Sequence, residues 1–204
     1  AGERLVIMKY DGLLIPEFDE ATHTYKVDGE PAPSVTQILH ACGIGVNPFW
    51  TEEGREFGKA VHAAIHYHAE GDLDFDALDD TVKPRLDAYI NFRTEMDFSP
   101  ELVEQPLYSR APRYAGTPDQ VQLGRAVVDF KTGSIAPETA LQLAAYDMLL
   151  PNPYIHERWA VRLKDDGTYS LKVFTKQNLQ ADFAVFQSAL NIYNWGERND
   201  NKHQ

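Results

Sequence analysis

Two opposite charges alternate within an apolar segment of this chain. Asp129 and Lys131 lie in the run Val127-Val-Asp-Phe-Lys-Thr-Gly133, and residues two apart in a strand point to the same face of a sheet. A carboxylate and an ammonium that emerge together suit a metal ion and an attacking water. Asp119 ends the turn Gly116-Thr-Pro-Asp119, ten positions earlier, which is about the separation that a neighbouring antiparallel strand needs. Two carboxylates would then share one hard cation through oxygen.

Polar side chains in two predicted helices extend this pattern. Gln142 and Tyr146 are four apart in a helix predicted over 137–149, so they share a face and would line the same cleft. His62 lies among small and apolar residues of another predicted helix, where a lone histidine is more often packed or solvent-facing than a ligand. His66 follows one turn later, but no third nitrogen or sulfur ligand accompanies the pair. The nearby carboxylates therefore favour an oxygen-rich magnesium or manganese site over zinc.

Each carboxylate also has a structural interpretation. Thr-Pro-Asp-Gln is an ordinary turn, in which Asp119 would accept backbone hydrogen bonds. A charge within the apolar run is costly to bury alone, so Asp129 either forms an ion pair with Lys131 or binds a metal. The residue pattern leaves both alternatives open. Asp-x-Lys is a weak signal on its own, and the inference depends on the ordered set of motifs.

The ordered set resembles the motifs of the PD-(D/E)XK nuclease superfamily and, within it, of the RecB-like branch. The motifs of that branch run His, Asp, Asp or Glu-x-Lys, and Gln-x-x-x-Tyr, and Gly58-Lys-Ala-Val-His62 is similar to its Gly-x-x-x-His. Further upstream, Pro33-Ser-Val-Thr-Gln-Ile-Leu39 and Phe49-Trp50 are similar to phage-type exonucleases and to the mitochondrial genome maintenance exonuclease. The resemblance covers roughly residues 18 to 146.

The resemblance implies a deoxyribonuclease that uses Mg²⁺ or Mn²⁺, because such an ion polarises a phosphate and lowers the pKa of a bound water. Lys131 would help that water attack, or would stabilise charge on the phosphate. Glu104 would assist the metal through water, although an exposed strand residue is an equally good interpretation. The implied catalytic residues are Asp119, Asp129 and Lys131, the implied metal ligands are His62, Asp119, Asp129 and the Phe130 carbonyl, and the implied DNA contacts are Gln142 and Tyr146.

The implied activity is exonucleolytic hydrolysis at DNA ends or single strands in phage-type recombination, replication or repair, with a phage recombinase or helicase as a further partner. A structure-specific endonuclease uses the same catalytic set, since loops and not motifs separate the two. A nucleic-acid-binding protein that kept the fold without cutting is a third alternative, and the intact Asp-x-Lys pair argues against it. Phe49, Trp50 and Tyr114 are candidates to stack on unpaired bases, although aromatic side chains more often lie in the core.

The net charge of −12 is the main objection to a nucleic-acid partner, because phosphate binding usually depends on Lys and Arg. The charge is unevenly placed. The segment 70–80 holds six acids and no base, whereas the segment 110–131 holds four bases against two acids, both of them proposed metal ligands. Arg113, one of these bases, is therefore a further candidate DNA contact. Because a bound metal adds positive charge, we expect modest, salt-sensitive DNA binding.

Length and composition bound the class of protein. A chain of 204 residues with 43% hydrophobic content is long enough for one domain with a substantial core. Neither an apolar run of about eighteen residues nor a signal-peptide pattern is present, so we expect a cytoplasmic protein without membrane contact, in a bacterial host cell if it is phage-encoded. The single cysteine, Cys42, excludes an internal disulfide and a four-cysteine iron–sulfur cluster.

The element pattern predicts an α/β fold in which helices flank a mixed central sheet. The resemblance implies a restriction-endonuclease-like core. An alternating N-terminal segment predicts a hairpin or arm. We divide one domain, 1–204, into an N-terminal arm and short helix (1–50), a catalytic core (51–195) and a frayed tail (196–204). The predicted helices run from Ser34 to His40, Thr51 to Ala69, Leu78 or Val82 to Met96, Pro137 to Leu149 and Asn178 to Tyr193. The predicted strands run from Leu102 to Ser109, Tyr114 to Leu123, Ala126 to Thr132, Arg158 to Leu163 and Tyr169 to Phe174.

Overall fold

A five-stranded mixed sheet forms the centre of the computed structural model, which describes residues 12–46 and 51–200. The helices are α1 Val35–Ala41, α2 Glu52–Glu70, α3 Lys83–Glu95, α4 Thr139–Asp147 and α5 Leu179–Asp200, with a 3₁₀ turn at Lys176–Asn178. The strands are β1 Glu17–Asp19, β2 Thr24–Val27, β3 Glu30–Ala32, β4 Leu102–Val103, β5 Leu107–Arg110, β6 Arg113–Gly116, β7 Gln120–Gln122, β8 Ala126–Lys131, β9 Glu157–Leu163 and β10 Tyr169–Phe174.

The strand order of the central sheet is β10-β9-β8-β7-β4, and every neighbouring pair is antiparallel except β8 and β9. A parallel pair needs a crossover connection, and α4 lies in that connection. Helices pack on both faces, so alternate residues of β8 and β9 enter two cores. Val127 and Ala160 pack with α1, α4 and α5, whereas Val128, Phe130 and Trp159 pack with α2 and α3. The predicted mixed sheet flanked by helices is confirmed.

The N-terminal segment forms a second, antiparallel sheet in the order β1-β2-β3. Asp28 and Gly29 both have positive φ angles, of 54° and 80°, and make the tight turn between β2 and β3. Tyr25 of this sheet packs against Tyr108 and Ala115, which belong to the separate β5–β6 hairpin. Residues 17–32 thus pack on the body of the protein and do not extend from it as an arm.

Local signals set the helix ends close to their predicted positions. The Ser34 hydroxyl accepts the Gln37 amide while the Gln37 side chain accepts the Ser34 amide, which is a capping box for α1. Thr51 caps α2 by accepting the Gly54 amide, and Gly71 ends that helix in the left-handed conformation. Within the described residues, no helix is long and apolar enough to cross a membrane.

Two of the predicted strands are wrong in extent, because the structure has two shorter strands in place of each. The segment predicted as Leu102 to Ser109 separates into β4 and β5, which belong to different sheets, and Glu104 at the break has a φ of 43°. The segment predicted as Tyr114 to Leu123 separates into β6 and β7 on either side of Thr117-Pro118-Asp119. Proline has no amide to donate to a strand ladder, and a proline lies in each break. Pro106 and the Gly116-Thr-Pro-Asp119 turn mark the two breaks in the sequence, but each prediction continues through them as one strand.

The predicted end of the last helix is also corrected. Helix α5 continues to Asp200, so residues 196–200 of the predicted frayed tail are helical, while 201–204 lie outside the described residues. The Arg198 and Asn199 side chains donate hydrogen bonds to the Asn194 and Trp195 carbonyls one turn earlier. A glycine inside a helix costs only about 1 kcal/mol relative to alanine, so Gly196 does not end it.

Candidate active site

Asp119 is held against β8 by a backbone hydrogen bond. The last residue pair between β7 and β8 joins Gln120 to Val128, and beyond it the Phe130 amide donates to Asp119 Oδ2 at 2.6 Å. A carboxylate thus takes the place of the next strand carbonyl. On the other side of the break, the Thr117 and Tyr25 hydroxyls share a hydrogen bond of 2.8 Å. The turn that carries Asp119 is therefore tied to both sheets.

Asp129 and Lys131 form an ion pair on one face of β8. Lys131 Nζ lies 2.8 Å from Asp129 Oδ2 and 3.1 Å from Oδ1. The Asp129 side chain is only 3% exposed, whereas that of Lys131 is 30% exposed. Apart from this ion pair, no described residue donates a hydrogen bond of suitable geometry to Asp129 Oδ2. The pair places a buried carboxylate behind an ammonium that solvent can reach.

Helix α4 brings a glutamine and a tyrosine to the same ion pair. Lys131 Nζ donates to Gln142 Oε1 at 3.4 Å, and Gln142 Nε2 donates to the Tyr146 hydroxyl at 3.2 Å. Gln142 is half-buried, but Tyr146 is only 5% exposed. Tyr146 therefore contacts the site through Gln142. Gly116 allows the tyrosine ring to approach, because a Cβ there would lie 2.7 Å from Tyr146 Cε1.

Helix α2 contributes His62 from the opposite direction. His62 Nδ1 lies 3.6 Å from Asp119 Oδ1, and the side chain is 31% exposed. One turn later, His66 Nδ1 lies 3.5 Å from Glu104 Oε2. The Glu104 amide in turn donates to the Asp119 carbonyl at 2.8 Å. Glu104 is thus joined to the site through the backbone of Asp119 and through His66.

Burial and neighbouring charges change the proton affinities of the site. Burial raises the pKa of Asp119 to about 6, and the Asp129 charge adds to the increase, while His62, Lys131 and the Phe130 amide oppose it. For Lys131, burial lowers the pKa, but the Asp129 and Asp119 charges outweigh burial and leave it raised. The Lys131 side chain is therefore a protonated ammonium at neutral pH.

The donor atoms of this site suit a hydrated hard cation better than a cage of protein ligands. In the described part of the chain, no three His, Cys, Asp or Glu side chains converge closely enough to hold a metal ion alone. Mg²⁺ commonly uses one or two carboxylates and keeps several waters. Asp119 and Asp129 offer two such carboxylates, and repulsion from Asp129 adds to the effect of burial in raising the pKa of Asp119. His62 and the Phe130 carbonyl are the remaining donors predicted for it.

A cleft of about 520 Å³ opens beside Lys131. It lies between the start of α2, the start of α3 and the loop after β8. Two arginines that the sequence analysis did not select, Arg55 and Arg85, face it together with His62. Arg55 was detectable, because it lies seven residues before His62 and so on the same helix face. Arg85 comes from a different helix, and no sequence spacing places it there. The other lining residues are Thr51, Gly54, Phe57, Gly58, Phe130, Lys131, Thr132, Gly133 and Ser134.

Two other predicted contacts lie away from this cleft. Arg113 donates to the Glu30 and Pro31 carbonyls, and the separate pocket that it lines contains none of the proposed catalytic residues. Tyr114 is fully buried and donates its hydroxyl to the Ala145 carbonyl at 2.8 Å, so the core interpretation holds. The other predicted stacking residues, Phe49 and Trp50, lie outside the described residues.

No protein-family model matches this chain, and no curated protein matches its sequence. Its fold is similar to that of a solved structure, a protein of Eubacterium rectale described as a "putative exonuclease". The two chains are 12% identical and superpose with a TM-score of 0.50, over 81% of this chain and 76% of the other. At this identity the similarity is evidence of fold alone. The chain has a nuclease-like fold built on a mixed central sheet.

Proposed function

We propose that this chain is a metal-dependent DNA exonuclease of the PD-(D/E)XK superfamily and its RecB-like branch, which hydrolyses phosphodiester bonds at DNA ends or single strands. The observation that carries the proposal is the placement of Lys131. Its ammonium contacts Asp129 and Gln142 and remains partly exposed beside an open cleft. A purely structural ion pair needs no glutamine from a second element and no access to solvent.

Each residue of the site has a separate task in this proposal. Asp119 and Asp129, with His62 and the Phe130 carbonyl, would hold Mg²⁺ or Mn²⁺. The bound ion would polarise the phosphate and lower the pKa of a bound water. Lys131 would donate a hydrogen bond to the phosphate or to the attacking water and stabilise the negative charge that develops. The contact with Gln142 would keep the ammonium directed at the substrate.

The choice between exonuclease and endonuclease action, and the biological process, are proposed from the sequence motifs. The motifs that resemble those of phage-type exonucleases favour action at DNA ends. Phage-type recombination, replication or repair is the setting that the sequence motifs favour, with a recombinase or helicase as partner. An endonuclease can use the same catalytic residues, so cleavage of linear and closed circular DNA must be compared to distinguish the two activities.

The test compares end-labelled linear single-stranded and double-stranded DNA with closed circular DNA, in Mg²⁺, Mn²⁺ or chelator. Wild-type protein is compared with Lys131→Ala and with Lys176→Ala, which removes an exposed lysine of the 3₁₀ turn outside the cleft. We expect metal-dependent loss of linear DNA alone, abolished in Lys131→Ala and retained in Lys176→Ala. The label released first would give the polarity.

Two other outcomes would replace this proposal. Cutting of circular DNA that depends on Lys131 would identify an endonuclease with the same site. Binding without any metal-dependent cutting would identify a nucleic-acid-binding protein that kept the fold.

A further inference from the structure

Arg85 is a half-buried arginine in the wall of the cleft. It lines the cleft beside Lys131 and His62. Among the described residues, its side chain forms neither an ion pair nor a hydrogen bond, and its buried Nε has no acceptor. The chain carries 31 acidic residues against 19 basic ones, so carboxylates are abundant enough to pair it. A half-buried guanidinium without a partner is costly in the free protein.

The arginines with structural roles in this fold donate to acceptors within the chain, although Arg158 Nε, like Arg85 Nε, is buried without an acceptor. Arg93 donates to the Phe98 carbonyl, and Arg125 donates to the carbonyls of Met96 and Asp97. Arg158 donates to two backbone carbonyls and pairs with Asp182. Each of them uses its guanidinium to join segments of the backbone. Arg85 differs from all three, because none of its guanidinium donors meets an acceptor among the residues that the structure describes.

The Arg85 guanidinium contacts an aromatic ring at the side of the cleft. Its central carbon lies 5.6 Å from the centre of the Phe57 ring, within the range of a cation–π contact. Such a contact uses the flat face of the group and leaves the N–H donors at its edge free to bind. Arg55 faces the same cleft but already pairs with Glu52 on the same helix. Arg85 is therefore the better-placed donor for an incoming anion.

The ligand that fits these donors is a phosphate. A guanidinium can donate two parallel hydrogen bonds to phosphate oxygens, and Thr132 and Ser134 add hydroxyl groups to the cleft wall. Lys131 stands in the same cleft, where the scissile phosphate is expected. We propose that Arg85 binds a phosphate of the substrate strand next to the one that is hydrolysed and so positions the strand at Lys131. This assignment rests on the nuclease function proposed above.

The experiment measures binding in a background where cutting is prevented. Lys131→Ala protein with Mg²⁺ is titrated into a fluorescent single-stranded oligonucleotide at several salt concentrations. The same titration is made with Arg85→Gln, Arg85→Lys and Arg110→Gln added to that background. Arg110 is the matched control, because it is an exposed arginine that lines a different pocket, with no residue in common with the cleft.

We expect Arg85→Gln to weaken binding about tenfold and to lower the salt dependence by about one counterion. Arg85→Lys keeps the charge without the paired donors, so it should keep the salt dependence and bind with intermediate affinity. Arg110→Gln should leave both quantities unchanged, and the melting temperatures of the Arg85 variants should stay close to that of the background protein.

Three results would overturn the proposal. They are unchanged binding by Arg85→Gln, equal weakening by Arg110→Gln, and no binding by the background protein. If Arg85→Gln does not fold, the affinity of Arg85→Lys tests the proposal instead. An affinity equal to that of the background protein would show that Arg85 does not donate two hydrogen bonds to a phosphate. Failure of the nuclease proposal would be seen separately, as DNA cutting that persists in Lys131→Ala.

Discussion

At the scale of single residues, Asp119 combines two demands that oppose each other. Its carboxylate accepts the Phe130 amide at 2.6 Å and so completes the edge of β8. The same carboxylate is largely buried near Asp129, which raises its pKa to about 6. Burial and the Asp129 charge thus destabilise the ionised form of Asp119 when no cation is bound. A residue that destabilises the free protein in this way is typical of a binding site.

Asp119→Asn should therefore stabilise the metal-free protein at high pH. Asparagine keeps an oxygen for the Phe130 amide but carries no charge. The folded-state pKa of Asp119 lies above the ordinary value of 3.8, so its contribution is favourable below that value and is lost as pH rises through about 6. The gain of the variant should approach at most about 3 kcal/mol at pH 8 and vanish near pH 4.

Urea unfolding in chelator at both pH values measures this difference. An equal difference between variant and wild type at pH 4 and pH 8 would show that Asp119 is not charged against its neighbours in the folded state.

At the scale of elements, the breaks in the predicted strands create the site. Asp119 reaches β8 because β6 and β7 separate at Thr117-Pro118-Asp119 and enter different sheets. Helix α4, which crosses between β8 and β9, then brings Gln142 and Tyr146 onto Lys131. The active-site geometry depends on how closely α4 approaches β6.

Gly116→Ala tests that approach between β6 and α4. The new Cβ would lie 2.7 Å from Tyr146 Cε1 and 3.1 Å from Val35 Cγ2, so the tyrosine must move. We expect a loss of about 1–3 kcal/mol in the free energy of unfolding. Because Tyr146 supports Gln142, DNA cutting should fall further than the lost stability explains. Chemical unfolding and cleavage rates below the unfolding transition measure the two effects, and wild-type values for both would contradict the contact.

Gly196→Ala is a matched glycine substitution with the opposite expectation. Gly196 lies inside α5, has nothing within 4 Å of a new Cβ, and does not have a positive φ. Alanine should raise the free energy of unfolding by about 0.5–1 kcal/mol. Destabilisation would indicate that the helix ends before this residue, as the sequence alone suggested.

Features within one helix or strand could be predicted from the sequence, whereas features that depend on how the elements pack could not. Apolar periodicity predicted the helices, and it predicted that Asp129 and Lys131 share one face of a strand. Each of these features depends on a single element. The turn at Gly116-Thr-Pro-Asp119 is visible in the sequence, but periodicity does not show that β6 and β7, on its two sides, belong to different sheets. It also did not place Arg85, because the contact of α3 with the cleft depends on tertiary packing.

At the scale of the whole molecule, the proposed function requires an acidic protein to bind a polyanion. The net charge of −12 would repel DNA at long range, while Arg85, Lys131 and a bound metal would attract it within the cleft. Binding should weaken when salt rises from about 50 to about 200 mM, but with a small slope, because few phosphates are neutralised. Titrations of labelled single-stranded DNA at several salt concentrations measure that slope. An affinity independent of salt would contradict phosphate recognition by these charges.

The most direct test of the central claim is the single-turnover rate of DNA cutting by wild type and Lys131→Ala at saturating Mg²⁺. With enzyme in excess over an end-labelled strand, the rate reports chemistry and not product release. We predict a loss of about 100-fold or more in the variant, measured well below its unfolding transition, because removal of the ammonium leaves the buried Asp129 carboxylate unpaired and lowers the stability. Cutting by Lys131→Ala at the wild-type rate would show that this ion pair is structural and that the catalytic site lies elsewhere.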